Sequence, residues 1–312
     1  VAVMINGVPQ NDMENGWVYW SNWDGVADAA NSIQLQRGLS AVNLATPSIG
    51  GTMNIITDPA ANERGGKFKQ EGGAGNFLKT TFNYNTGLMM GDKLALSGTL
   101  VRKTGDGIID ATWTDAWAYY LGSSFQLNEN HRFELYAIGA PQRHGQNLYK
   151  QNIATYSQDL ASDVDGYDVT AFAEGNKFET EAGRTFNQNW GPVSSDYTGK
   201  QYWYMYGVGG LFGGGNQPRY NSNFLNEREN FFHKPLVNLN HFMTINEKTR
   251  LSSVLYWSGG SGGGTGTYGS SFRKPAVDGQ KWYRSSPWGW DWDAAIATNS
   301  DRVDTNFHPT EN

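Results

Sequence analysis

From Lys67 onward, apolar and polar side chains alternate along the chain in runs of about ten residues with a period of two, the repeat of a half-buried strand. Thr80, Phe82, Tyr84 and Thr86 share one face of such a run, and Lys79, Thr81, Asn83 and Asn85 share the other. Leu94, Leu96, Gly98 and Leu100 stand against Ala95, Ser97 and Thr99. Trp117, Tyr119, Leu121, Phe125 and Leu127 stand against Ala118, Tyr120, Gly122, Ser124 and Gln126. Phe133, Leu135, Ala137 and Gly139 oppose Arg132, Glu134 and Tyr136. Pro235, Val237, Leu239 and Met243 oppose Leu236, Asn238, Asn240 and Thr244, and Leu251, Leu255 and Trp257 oppose Arg250, Ser252 and Tyr256. With a weaker run over 67–75, the pattern predicts about seven strands, each with one apolar and one polar face.

The connections sharpen this. Short turns at 88–93, 128–131 and 246–249 alternate with long loops at 104–115, about 146–230 and 259–312. Short connections on one side, long ones on the other and dyads of spanning length are the signature of a transmembrane β-barrel. A soluble β-sandwich or propeller also alternates, but does not sort its loops by length. If the first strand rises from the short-turn side, the short turns follow strands two, four and six, all on one side. Seven strands cannot close by themselves, and bare edges are not viable in lipid. Further strands are therefore expected, from more of the same protein rather than from another chain.

Residues 1–62 have a different character. An apolar run at 1–5 meets the turn signal Asn6-Gly7, a polar and aromatic stretch covers 10–23, and alternating runs at 32–38 and 50–57 follow. The second of these is entered through the glycine pair Gly50-Gly51, and 58–66 reads as a linker. The expected architecture is a small α/β domain over 1–62 followed by the membrane all-β portion over 63–312. The chain opens in a strand-like run without an initiator Met or signal peptide and closes on polar 301–312, so it reads as an internal piece of a longer protein.

Composition agrees and excludes several classes. The 312 residues include 39 Gly and 10 Pro, 14% aromatic and 17% charged residues, and no Cys. That rules out a disulfide framework, a thiolate metal site and a thiol enzyme. Glycine at this density also opposes a coiled coil. No apolar run approaches the roughly 18 residues of a spanning helix. A net charge of −6 gives no basic footprint for nucleic acid. The mean hydropathy of −0.58, at first sight hostile to a membrane, fits a barrel with a polar lumen and large loops.

The 1–62 segment carries a resemblance. Residues 33–42 read I-Q-L-Q-R-G-L-S-A-V, residues 49–57 read I-G-G-T-M-N-I-I-T, and residues 3–9 read V-M-I-N-G-V-P. In this order the three blocks resemble the plug domain of TonB-dependent outer-membrane receptors, whose pattern runs I-E-V-x-R-G-P-x-S-A-x-x-G, then G-x-I-N-I-x-T, with v-L-I-D-G-v-P upstream. Gln34 replaces the usual Glu, Leu39 the usual Pro, and Asn43-Leu44-Ala45 the usual Y-G segment. The wording of 11–20 suggests a branch apart from the common siderophore receptors, and the plug end differs from that of the starch-utilisation importers.

The resemblance implies an active importer of the Gram-negative outer membrane, not an enzyme and without a cofactor. Its barrel would have about 22 strands around a plug, of which this chain covers the plug's C-terminal part and roughly the first third of the barrel. Force would come from periplasmic TonB through a preceding segment. Within the plug motif, Arg37 is expected to meet acidic side chains of the barrel, or else to pair inside the plug. Glu71 and Glu134, on the lumen faces, are its nearest candidate partners. Gly38, Gly50 and Gly51 read as tight turns, and Asn54 completes the motif. The plug–barrel contact is expected to be polar and wetted, since weak hydrated bonds can re-form on new partners.

Capture of the imported ligand would fall to the long loops, where Trp282, Tyr283, Trp288, Trp290 and Trp292 crowd together with Asp291 and Asp293. Aromatic faces with carboxylates suit sugars, peptides or cations. The same residues could equally form a self-packed loop core or an interfacial girdle, and Trp113, Trp117, Trp203 and Trp257 are further girdle candidates. Asp163, Asp165 and Asp168 have oxygens compatible with Ca²⁺ but lack the terminal Glu of a helical Ca²⁺ loop, so a solvated acidic turn competes. Gly264–Gly269 matches G-x-G-x-x-G and 259–263 matches G-x-S-x-G, yet no helix pattern follows either. The histidines His131, His144, His233, His241 and His308 show no close metal-ligand spacing. Two other functions remain open: a receptor-fold accessory component of an outer-membrane assembly that does not transport and has a surface-exposed or accessory protein partner, and a soluble Trp-rich glycan-binding module.

Overall fold

The computed structural model describes residues 1–38, 50–194, 203–205, 215–217, 220–221, 223–267 and 272–300. Strands β1 (Ala2–Ile5) and β2 (Val8–Pro9) form a hairpin about Asn6 and Gly7, both at positive φ (50° and 83°). Asn and Gly tolerate that conformation better than other residues. A 3₁₀ turn (Trp20–Trp23) and the short helix α1 (Val26–Ala29) follow. β3 (Ser32–Gln36) runs antiparallel to β4 (Thr52–Ile56), which pairs parallel with β1, so this first sheet has the order β2-β1-β4-β3. Pro59–Ala61 make a 3₁₀ turn capped by Asp58, whose carboxylate accepts the Ala60 amide.

The second sheet begins at once. β5 (Gly65–Gly73), β6 (Phe77–Met89), β7 (Leu94–Gly105), β8 (Thr114–Asn128) and β9 (His131–Gly139) pair antiparallel with their neighbours in chain order. β10 (Gln142–Gly145) continues β9 past Ala140-Pro141, pairing with the far end of β8. Then the chain leaves the sheet. The excursion carries α2 (Gln158–Ser162) and the short strands β11 (Trp190–Pro192), β12 (Trp203–Met205), β13 (Gly215–Gln217) and β14 (Phe224–Asn226), paired β11 with β14 and β12 with β13. β15 (Glu229–His233) and β16 (Leu236–Asn246) form the returning strand, split at Lys234-Pro235. β17 (Thr249–Ser258) and β18 (Ser261–Gly264) form the next, split at Gly259-Gly260. β19 (Arg273–Pro275) pairs with β20 (Trp288–Trp290), and α3 (Trp292–Ser300) follows.

Seven long strands thus lie side by side, three of them interrupted. The interruptions fall at one level, where Trp117 donates to the Pro141 carbonyl at 2.9 Å and Gly259 to the Pro235 carbonyl at 3.3 Å. Proline has no N–H for the ladder, so the strands bend there and resume. Sequence patterning missed these continuations: Glu229 and 261–264, expected in loops, belong to the sheet. The first connection on the long-loop side also proves short, only 74–76 separating β5 from β6. Among the described residues, β5 pairs only with β6 and β17 only with β16, so the sheet is open at both edges.

The two faces sort as the alternation predicts. Phe82, Leu96, Leu121 and Trp257 are exposed on one face, Leu121 and Trp257 each by 61%. Ala95, Ser97, Thr99, Tyr120, Tyr136 and Asn238 are buried on the other, beneath the N-terminal unit. Among the described residues no helix is long and apolar enough to cross a membrane.

Candidate functional site

The N-terminal unit seats on the polar face of the large sheet through three kinds of contact. The first is apolar. Val3, Ile5, Val8, Trp23, Val26 and Ile55 form one buried cluster with Tyr120, Tyr136, Ile138 and Leu236 of the sheet. This corrects the expectation of a polar, wetted contact: β1 is buried along its length, and Ile55 of β4 with it, so their apolar side chains need cover.

The second kind is ionic. Lys79 Nζ lies 2.8 Å from Asp28 Oδ2 and 3.7 Å from Glu71 Oε2, and Lys103 pairs with Asp24. The N-terminal unit supplies the acids and the sheet the lysines, the reverse of the polarity expected from Arg37. Arg37 itself is exposed just past β3 and stands in none of the ion pairs formed among the described residues. Glu71 pairs with Lys69 at 2.8 Å, and the buried Glu134 pairs with Arg132 at 3.1 Å.

The third kind is a hydrogen-bonded relay. Asn6 and Thr57 bond reciprocally, Asn6 Nδ2 to Thr57 Oγ1 and the Thr57 amide to Asn6 Oδ1, both at 2.8 Å. The Thr57 carbonyl lies 2.9 Å from the Tyr136 hydroxyl, whose one proton is shared with Glu134 Oε2 at 2.8 Å. Asn238 donates to Asn240 at 3.0 Å, and Asn240 to the Asn6 carbonyl at 3.2 Å. At the bend level Gln142 donates to the Ser21 carbonyl, and Lys234 Nζ sits 5.8 Å from the ring centre of Trp23. Glu134 thus bonds to Tyr136, whose hydroxyl lies against the Thr57 carbonyl of the N-terminal unit.

The motif glycines divide. Gly38 and Gly51 have positive φ, and a Cβ on Gly51 would lie 2.5 Å from the Gln36 carbonyl oxygen, which ties β4 close to the end of β3. Gly50 has no positive φ. Asn54 sits in β4 between Met4 and Gln34. The motif residues 39–49 lie outside the described residues.

Beyond the bend level the loops pack on themselves. Trp288 and Trp290 are buried, their rings 5.3 Å apart edge to face, and Trp290 stacks on Trp292 at 5.1 Å. Arg273 covers Trp288 at 4.1 Å, and Trp292 Nε1 donates to the Leu225 carbonyl at 3.1 Å. Asp293 accepts from the hydroxyl and amide of Ser194, which hold its pKa below the usual carboxylate value, and Asp291 faces Lys274 at 3.8 Å. Tyr283 donates to the Gly175 carbonyl, leaving Trp282 as the exposed aromatic of the group, 46% accessible. Trp113 is fully buried and stacked on Tyr220, so it is no girdle residue, whereas Trp117 and Trp257 lie on the exposed apolar face. Trp203 starts β12.

Asp163 ends α2, and the carboxylate of Asp168 caps the 3₁₀ turn Val169–Phe172 by accepting the Thr170 hydroxyl and amide. No group of three or more metal-ligating side chains occurs among the described residues. Sequence spacing also missed a pair. His131 Nδ1 and His241 Nε2 lie 2.9 Å apart, brought together because β9 and β16 are neighbours.

No family model matches the chain, and no curated protein does. Solved structures do. The ferric-catecholate import receptor Fiu of E. coli K12 matches in its open form with a TM-score of 0.51 and 14% identity, over 84% of this chain and 32% of that one. Its closed form gives a TM-score of 0.52 and 14% identity, over 84% and 29%. The ferric yersiniabactin uptake receptor FyuA of Yersinia pestis gives 0.49 and 16%, over 86% and 33%. The chain spans about a third of the length of these receptors. At this identity the likeness is one of fold: the chain folds as a portion of the Fiu import receptor does.

Proposed function

We propose that this chain belongs to a TonB-dependent importer of the bacterial outer membrane, with 1–62 as the C-terminal part of the plug and 63–312 as the first strands and loops of the barrel. One observation carries the reading: a small four-stranded unit is held on the polar face of a long-stranded antiparallel sheet whose opposite face is apolar. A soluble protein has no use for an exposed face of leucines and aromatics around spanning-length strands, whereas lipid requires one. The fold likeness to import receptors supports it. No bond-making chemistry is needed. The unit seals the passage, and pulling from the periplasm would separate contacts of the kind seen at Lys79–Asp28, Lys103–Asp24 and Asn240–Asn6, each individually weak.

On this reading Arg37 and the 39–49 segment belong to the moving part, and the loops beyond the bend level receive the ligand, with Trp282 as their accessible aromatic. The natural full-length protein is expected in the outer-membrane fraction, migrating faster unheated than boiled on gels. Uptake of its ligand should stop when the inner-membrane energy source or TonB is removed. A protein that stays in the soluble fraction, or uptake indifferent to TonB, overturns the proposal.

A further inference from the structure

Residues 57–64 are fitted into the wall of the large sheet at successive points. The Tyr136 hydroxyl on β9 meets the Thr57 carbonyl at 2.9 Å. Pro59 is buried against Gly122 of β8, where a Cβ would fall 3.0 Å from Pro59 Cγ. Asn62 Nδ2 donates to the Asp58 carbonyl at 3.1 Å and reaches Ser97 Oγ on β7 at 3.5 Å. Arg64 crosses Gly87 of β6, which has φ 65°, and a Cβ there would lie 2.9 Å from the Arg64 amide nitrogen. The register of β6 shifts between Asn85 and Leu88 at this crossing, and Thr86 Oγ1 accepts the Leu96 amide at 2.9 Å across it. Four adjacent strands thus hold the segment, and β5 begins directly after it at Gly65.

Ahead of this anchor, the small sheet meets a load differently by different routes. β1 and β4 run parallel, with Ala2 opposite Thr52 and Ile5 opposite Ile55. The Ala2 amide donates to the Gly51 carbonyl at 3.0 Å and the Asn6 amide to the Ile55 carbonyl at 2.9 Å. A pull entering ahead of Val1 and resisted at Thr57 acts on opposite ends of this pair. The ladder is then sheared, and its rungs, which lie across the load, carry it together. β3 and β4 are antiparallel instead, with Ser32 opposite Ile56. A load arriving through β3 and resisted at Thr57 acts on one end of that pair and peels it. Asn31 stands at the front of the peel, its amide on the Ile56 carbonyl and its side chain on the Asp58 amide and Asn62 Oδ1, and the rungs behind it part singly.

We propose that the β1–β4 ladder, braced by the anchor at 57–64, is a force clamp. It keeps the passage sealed until the pull on the preceding segment passes a threshold, and then frees 1–56 in one event. The ion pairs and hydrogen bonds between the N-terminal unit and the wall, parting one at a time, would set no such threshold. The inference rests on the importer reading above, in which the pull enters ahead of Val1.

The test pulls single molecules of the natural full-length protein, held in a phosphatidylcholine bilayer, with optical tweezers. The tether is attached either to the segment preceding Val1 or to Met13→Cys, a position 95% exposed from which the load reaches Thr57 through β3 and bypasses β1. Pulling ahead of Val1 is expected to release 1–56 in a single step of at most about 190 Å, its extended length. The force of that step should exceed the force of release through Met13→Cys by about twofold or more, because rungs loaded together resist more than rungs loaded in turn. Equal forces by the two routes overturn the clamp, as does release from the Val1 side in a series of small steps. A step that runs on past Thr57 at the same force overturns the anchor. Heat-modifiable migration of the same samples reads the barrel separately, so loss of the clamp in an intact barrel leaves the importer reading standing.

Discussion

Single residues decide how tightly the N-terminal unit seats. Gly25, at φ 88°, ends the turn before α1, and a Cβ there would fall 2.5 Å from Ala118 Cβ on β8. Gly25→Val is therefore expected to lift this corner and destabilise docking by about 1–3 kcal/mol, measured as earlier protease cleavage within 1–62 at unchanged barrel migration. Asp28 and Lys79 are both largely shielded, so a double-mutant cycle on Asp28→Asn and Lys79→Met should return a coupling of about 1 kcal/mol. Additive effects would show that the pair adds nothing to docking. In the loops, Asp106 accepts from Asn76 and from Tyr220 at 2.7 Å, and those bonds hold its pKa below the ordinary carboxylate value. Burial, and then the same contact with Asp106, push Tyr220 up to about 12. A carboxylate depressed by folding stabilises the folded loop above its unfolded pKa, near 3.9, and that contribution fades as pH falls through the lower folded value. Hydrogen-exchange protection across 106–113, measured relative to the intrinsic rate at each pH, should therefore fall on acidification below pH 4, and Asp106→Asn should remove that acid dependence. Little of this was legible in the sequence. Asp24 and Asp28 sit in a polar stretch without periodicity, and nothing local marks them as partners of lysines some fifty to eighty residues away.

At the scale of elements, the period-two alternation carried most of the information, because the sheet buries one face under protein and turns the other outward. Leu96 and Leu121 occupy the outward face as the pattern requires. Leu121→Lys is expected to cost about 2–4 kcal/mol near a bilayer midplane, measured by urea-titrated folding into lipid vesicles. A variant as stable as the parent would remove the lipid-facing assignment. The strand interruptions are invisible to the alternation because Pro141, Pro235 and Gly259-Gly260 read as terminators, whereas the sheet passes them with a bend and continues. The loop ribbons β11–β14 and β19–β20 are invisible to it too, since pairs of three residues are too short to show a period. The tryptophan-rich segment is evident as a cluster in the sequence, but its role depends on which rings face inward. Trp288 and Trp290 do, as composition alone could not tell.

At the scale of the molecule, the two sheets are complementary in a way that either alone is not. The small sheet covers the polar face of the large one, and the bare edges at β5 and β17 call for further strands if the wall is to close in lipid. Residues 1–312 expressed alone should therefore fail to give the heat-modifiable species expected of the natural full-length protein. A compact, heat-modifiable 1–312 chain would mean that the edges are satisfied some other way. The polarity of the ionic seat has one more consequence. Asp24 and Asp28 belong to the part that would leave, and Lys79 and Lys103 to the wall that would stay. Withdrawal would strip two lysines of these counter-ions at the moment a passage opened beside them, with Glu71 still beside Lys79. The vacated wall would then be more cationic than the sealed one, easing the transit of anions and opposing that of cations.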